Sequence, residues 1–145
     1  DPSQVLGESN IFRYRSVGKV LIRGGAEDYG AVGLVLLAAQ CAGAELEWSV
    51  TRETREISRF AGATGVEIIE ESAAELAESL AGGNRDYAVV RGVQLESTVR
   101  RAAIDQGLRI ADDPVLANGR LELRHYLKEQ AISETVHRYG NVREP

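Results

Sequence analysis

The chain has 145 residues, of which 43 % are apolar and 27 % charged, with a formal net charge of −5. That size and apolar share suit one packed domain, and the acidic balance with scattered Lys and Arg argues against a nucleic-acid or anionic-membrane surface. A lone cysteine, Cys41, rules out an internal disulfide framework, and the longest apolar run, Ala31 to Ala39, falls well short of the roughly 18 residues of a membrane span.

In chain order, Asp1–Asn10 reads as a lead-in, and Ile11-Phe12-Arg13-Tyr14-Arg15 alternates apolar with basic residues, which suits an edge strand. Together they make an N-terminal arm over residues 1–17. Strands are predicted at Lys19–Arg23, Glu45–Val50, Val66–Glu70, Tyr87–Arg91 and Leu108–Ala111, all short and mostly rich in Val, Ile and Leu, as strands covered on both faces are. Helices are predicted at Asp28–Ala42, Thr54–Thr64, Ala73–Leu80, Leu95–Gln106 and Arg120–Glu129. Ile57, Phe60, Ala61 and Thr64 fall at the spacing of a half-buried helix, and Ser72 with Glu75 forms a capping box. Helices end on Gly43, Gly65 and Gly107, with a strand next in each case, the signature of αβ units. The reading is an α/β, Rossmann-like three-layer domain over residues 18–129, with a mostly parallel sheet of about five strands. An extended C-terminal arm follows over residues 130–145.

Ligands bind such sheets at the carboxyl ends of their strands. The first such end, Arg23-Gly24-Gly25-Ala26-Glu27-Asp28, lacks the glycine spacing of a dinucleotide fingerprint and places carboxylates where a pyrophosphate would sit. Cys41, in an apolar helical run, reads as a small buried thiol, Trp48 as a core or rim residue, and His125 as a polar residue on a helix flank. His137, beside Arg138 and Tyr139, reads as a contact residue of the arm. Glu70-Glu71 and Asp112-Asp113 follow strands and read as loop or cap residues; a carboxylate acid/base pair is the other reading. Ser49 and Ser133 lack a nucleophile-elbow context. No catalytic, cofactor-binding or metal-binding residue is assigned. A small-ligand or nucleotide-binding module remains the alternative, and it needs exposed N–H groups at Gly24-Gly25 and a pocket beside Arg91-Gly92. An autonomous enzyme would need two perturbed titratable groups converging in a cleft.

Two stretches carry a family resemblance. Gly7–Arg23, GESNIFRYRSVGKVLIR, resembles the segment that opens the C-terminal domain of long proline utilization A enzymes, with Gly7, Glu8 and Asn10 at its corner. The tail LKEQAISETVHRYGN is similar to that family's final segment, through Ser133, Thr135, Gly140 and Asn141. It departs at Val136-His137-Arg138-Tyr139, where the family runs through small residues. The resemblance implies a bacterial, cytoplasmic parent that oxidises proline to glutamate, with FAD on a proline dehydrogenase part and NAD on an L-glutamate γ-semialdehyde dehydrogenase part. It implies that this chain is a non-catalytic domain of the aldehyde dehydrogenase superfamily, without a cofactor of its own. Such a domain docks on the dehydrogenase domains of its parent and helps close a substrate tunnel. The implied interface residues are Phe12, Tyr14, Ile132, Thr135, His137, Arg138, Tyr139 and Asn141; a homodimer through the C-terminal arm is the other assembly. The absence of any Met, with Asp1 first, fits a fragment or a processed product.

Overall fold

A computed structural model of the chain describes residues 7–25, 28–83, 85–135, 137–138 and 141–142, the last four by their backbone alone. It divides into two units, Ser16–Tyr126 and the pair of terminal segments outside it. The terminal unit opens with β1 (Glu8–Ser16).

The Ser16–Tyr126 unit runs β2 (Lys19–Arg23), α1 (Tyr29–Cys41), β3 (Glu45–Val50), α2 (Arg55–Thr64), β4 (Glu67–Glu70), α3 (Ala73–Ala81), β5 (Val89–Gly92), α4 (Ser97–Asp105), β6 (Arg109–Ala111) and α5 (Gly119–Leu123). The sheet is parallel throughout, in the order β4-β3-β2-β5-β6. The chain winds outward from β2 in one direction and then returns to wind in the other, so the switch point lies between β2 and β5. This is the predicted three-layer α/β sheet.

Side chains alternate across the sheet as the strand period requires. Val20, Ile22, Trp48, Val50 and Val89 point into one core with α1 and α2, and Leu21 and Val90 into a second core with α3 and α4. Trp48 is wholly buried, and its indole N–H donates to the Gly24 carbonyl at 3.0 Å. Local signals set the helix ends. The Thr54 hydroxyl accepts from the Ile57 amide, and Gly65 closes α2 with a φ of +70°. At α3 the Ser72 hydroxyl accepts from the Glu75 amide at 3.2 Å while the Glu75 carboxylate accepts from the Ser72 amide at 2.7 Å, the expected reciprocal box.

Three expectations are corrected. The last helix does not reach Glu129: it stops at Leu123, and a turn carries the buried Tyr126 into the core. Leu127, Lys128 and Glu129, good helix formers by propensity, belong instead to β7 (Leu127–Thr135), where pairing with β1 decides their state. Cys41 is exposed, not buried, because the last residue of α1 faces away from the sheet. His125 is buried, not on a helix flank, because it lies in the turn that follows α5.

In the terminal unit, β1 pairs with β7. Ser133 Oγ donates to Asn10 Oδ1, Arg13 Nε to Gln130 Oε1 at 2.7 Å, and Tyr14 OH to Glu129 Oε1 at 3.2 Å. Partner numbers fall along one strand as they rise along the other, so the ribbon is antiparallel. Two further strands, β8 (His137–Arg138) and β9 (Asn141–Val142), pair antiparallel, His137 opposite Val142 and Arg138 opposite Asn141.

Candidate functional site

The switch point is where this sheet would take a ligand, and a guanidinium occupies it. Arg23 ends β2 and is only 2 % exposed. Its Nη1 donates to Ser49 Oγ at 2.9 Å and to the Glu71 carbonyl at 3.0 Å, and Nη2 donates to Thr51 Oγ1 at 3.0 Å. Its Nε and Nη2 edge meets the Glu96 carboxylate at 3.2 and 2.8 Å. Burial raises the Glu96 pKa, the hydrogen bonds from Arg23 lower it, and the net shift is downward. The crevice left beside this pair holds about 100 Å³ and is lined by Gly24, Gly25, Asp28, Thr51, Val93 and Gln94. Gly24 is closely packed: a Cβ there would lie 3.0 Å from a Val32 methyl and 3.3 Å from Val93 Cβ, so these neighbours would have to give by a few tenths of an ångström. Asp28 Oδ1 accepts from Gln94 Nε2 at 3.1 Å, so it binds across the crevice and does not cap α1. Ala26 and Glu27 lie outside the described residues. A wider, open groove of about 540 Å³ runs between Tyr29, Thr54, Glu56 and Arg59.

The pocket expected beside Arg91 is filled. Arg91 is completely buried. Its Nε and Nη2 bind the two Glu122 oxygens at 2.8 and 3.0 Å, and Nη1 donates to the carbonyls of Gly92, Ala111 and Asp113. Tyr126 OH donates to Glu122 Oε1 at 2.6 Å. Burial raises the Glu122 pKa, but the hydrogen bonds from Arg91 and Tyr126 outweigh it and hold the carboxyl below its ordinary range. His125 Nε2 lies 3.4 Å from Asp113 Oδ2; burial, then the Arg91 charge, push its pKa down.

The acidic pairs after the strands are split among separate partners. Glu71 forms a two-point pair with Arg85, both bonds at 3.0 Å, while Glu70 accepts from the Glu53 amide at 2.7 Å. Asp112 pairs with Arg100, and Asp113 with Arg124 at 2.8 Å. Sequence reasoning missed Arg23, Arg91 and Glu122; an arginine inside an otherwise apolar β-run was the available signal, because a buried cation requires partners. Among the described residues no group of three or more His, Cys, Asp or Glu is placed to hold a metal ion, and no helix is long and apolar enough to cross a membrane.

Of the expected interface residues, Phe12 and Tyr14 share one face of the ribbon, their rings 5.5 Å apart and edge-on. The register places Thr135 on that face and Ile132 on the other, opposite Ile11. Phe12, Tyr14 and Ile132 are 50, 58 and 37 % exposed. His137, Arg138 and Asn141 are placed by backbone only, and Tyr139 lies outside the described residues.

No protein-family model matches the chain, and no curated protein matches it. Solved structures share its fold. A 3,6-anhydro-L-galactose dehydrogenase in complex with NAP superposes with a TM-score of 0.57 at 17 % identity, over 74 % of this chain and 25 % of its own. Proline utilization A (PutA) from Corynebacterium freiburgense gives 0.53 at 28 % identity, over 92 % of this chain and 11 % of its own. The C-terminal domain of a hydrogenase from Pyrococcus furiosus gives 0.51 at 16 % identity, over 69 % of this chain. This chain thus spans a quarter or less of the first two proteins. The shared fold is a Rossmann-like α/β domain. The PutA match leaves out 8 % of the chain, fewer residues than β1 and β7 hold together, so it takes in at least part of these two strands.

Proposed function

We propose that the chain is a non-catalytic structural domain of a longer proline-catabolic oxidoreductase, one whose other parts use FAD and NAD. It docks through its ribbon on the dehydrogenase part and helps close the tunnel or the assembly. What carries the reading is the likeness to PutA, at 28 % identity over 92 % of the chain. The ribbon's exposure supports it. A two-stranded sheet with water on both faces is marginal alone, and Ile11, Phe12 and Tyr14, each half exposed or more, form an apolar surface suited to burial in a partner. A strand edge adds main-chain hydrogen bonds to such docking. The strand-end crevice, only about 100 Å³ beside the Arg23–Glu96 pair, fits a domain that takes no dinucleotide of its own.

The test is capture of the chain by its parent enzyme truncated before the segment equivalent to Gly7. Binding by the full chain, loss on stopping the chain at Tyr126, and a drop of tenfold or more for Phe12→Ala with Tyr14→Ala are the expected results, since buried aromatic anchors dominate such interfaces. Full assembly and coupled activity in the truncated parent would overturn the proposal.

A further inference from the structure

We propose that Glu96 is an internal ligand: its carboxylate fills a small oxyanion site built around Arg23 at the carboxyl ends of β2, β3 and β5. The site is assembled without Glu96. Ser49 from β3, Thr51 just beyond it and the Glu71 carbonyl hold Nη1 and the outer hydrogen of Nη2. The guanidinium is thereby fixed with its Nε and Nη2 edge turned to the crevice. That edge presents two parallel donors, the geometry that receives a planar carboxylate at two points.

The occupant comes from a different element and is far less enclosed. The Arg23 side chain is 3 % exposed and that of Glu96 is 36 % exposed. Glu96 stands at the N-cap of α4, yet its side chain caps no helix amide; it turns instead onto Arg23. The loop that delivers it is forced. A Cβ on Gly92 would lie 2.5 Å from Leu95 Cβ, and Gln94 adopts a φ of +59°. Non-glycine residues at positive φ persist where the surroundings hold them, and here Gln94 binds Asp28 across the crevice. Receptor and occupant therefore belong to separate parts: a preformed cationic fork in the sheet and a strapped-down loop that inserts a carboxylate. A free small oxyanion of the carboxylate class takes the place of Glu96 when that side chain is removed. The docking reading rests on the ribbon and this one on the crevice, so either can fail alone.

The experiment uses the full chain with Glu96→Ala, and with Glu96→Gln as the gentler variant. Unfolding midpoints are followed against sodium acetate, sodium phosphate and NAD, with sodium chloride at equal ionic strength as the reference. In Glu96→Ala, acetate should produce a saturable rise in midpoint of several degrees over chloride, with little or none in the unsubstituted chain. If Glu96→Ala folds only when acetate is present, that is the same result in stronger form. A rise with phosphate or NAD but none with acetate would overturn the carboxylate assignment in favour of a phosphate site. A Glu96→Ala chain as stable in chloride as the unsubstituted one would overturn the proposal, because Arg23 would then need no anion. So would variants that respond to acetate no more than the unsubstituted chain does, or that do not fold in any of these anions.

Discussion

At the scale of single residues, two buried arginines organise the sheet ends, and each is fully engaged. Removing one partner of a buried ion pair leaves an uncompensated charge, which costs about 3–5 kcal/mol, whereas replacing the pair with apolar residues of similar volume is often neutral. Glu122→Ala should therefore lower the urea midpoint severely, and Arg91→Met with Glu122→Leu should recover much of the loss. The pH dependence has a definite sign. The folded Glu122 carboxyl titrates below its unfolded value, so the stabilisation is present above about pH 4.3 and is lost as pH falls through the lower folded value. His125 is a base whose pKa is also depressed on folding. Protonation thus favours the unfolded chain, and stability present above about pH 6.5 declines as pH falls further. Urea titrations at a series of pH values should show a shallower decline below pH 6.5 in His125→Gln than in the unsubstituted chain. Trp48 offers a separate check: Trp48→Phe removes the bond to the Gly24 carbonyl as well as volume, and should cost about 1–3 kcal/mol.

At the scale of elements, the chain announces its turns better than its polar core. Thr54, Gly65, Ser72 and Glu75 mark helix ends by local chemistry that needs no knowledge of the fold, and the structure uses all four. Ser72→Ala should lower stability by about 1 kcal/mol, read as a fall of several degrees in melting temperature. The strands Lys19–Arg23 and Glu45–Val50 are found at the predicted residues, because both carry apolar side chains at the positions that reach the core. What stayed hidden depended on distant residues. Leu127–Glu129 carry helical propensity, and only the pairing of β7 with β1, more than a hundred residues earlier, makes them a strand. The partners of Arg23 and Arg91, namely Ser49, Thr51, Glu96 and Glu122, come from elements distant in sequence. Cys41 was misplaced because α1 is apolar nearly all round: Leu34 and Leu37 are exposed too, so periodicity could not tell its inner face from its outer one.

At the scale of the whole molecule, the two units differ in how much each buries. The α/β unit has two cores, one on each face of its sheet, while most described ribbon side chains are exposed. Local opening follows such differences. Hydrogen exchange should show the amides of β2 and β5 protected to near the global limit, and those of β1 and β7 exchanging at least tenfold faster. Docking on a parent enzyme should slow the ribbon amides and leave β2 unchanged; equal protection of ribbon and sheet in the isolated chain would remove the case for a missing partner.

One hydrogen bond has a bearing on how such a domain could be gained or shed. The Val17 amide donates to the Tyr126 carbonyl at 2.9 Å, so the α/β unit begins and finishes at a single place. A segment whose two ends meet can be grafted into a surface loop of another protein, or cut out, without pulling its host apart. It can also be sewn into a ring by a linker of a few glycines, with new ends opened at Gly82-Gly83. To the chain that carries it, Ser16–Tyr126 is a cassette with both ends at one point.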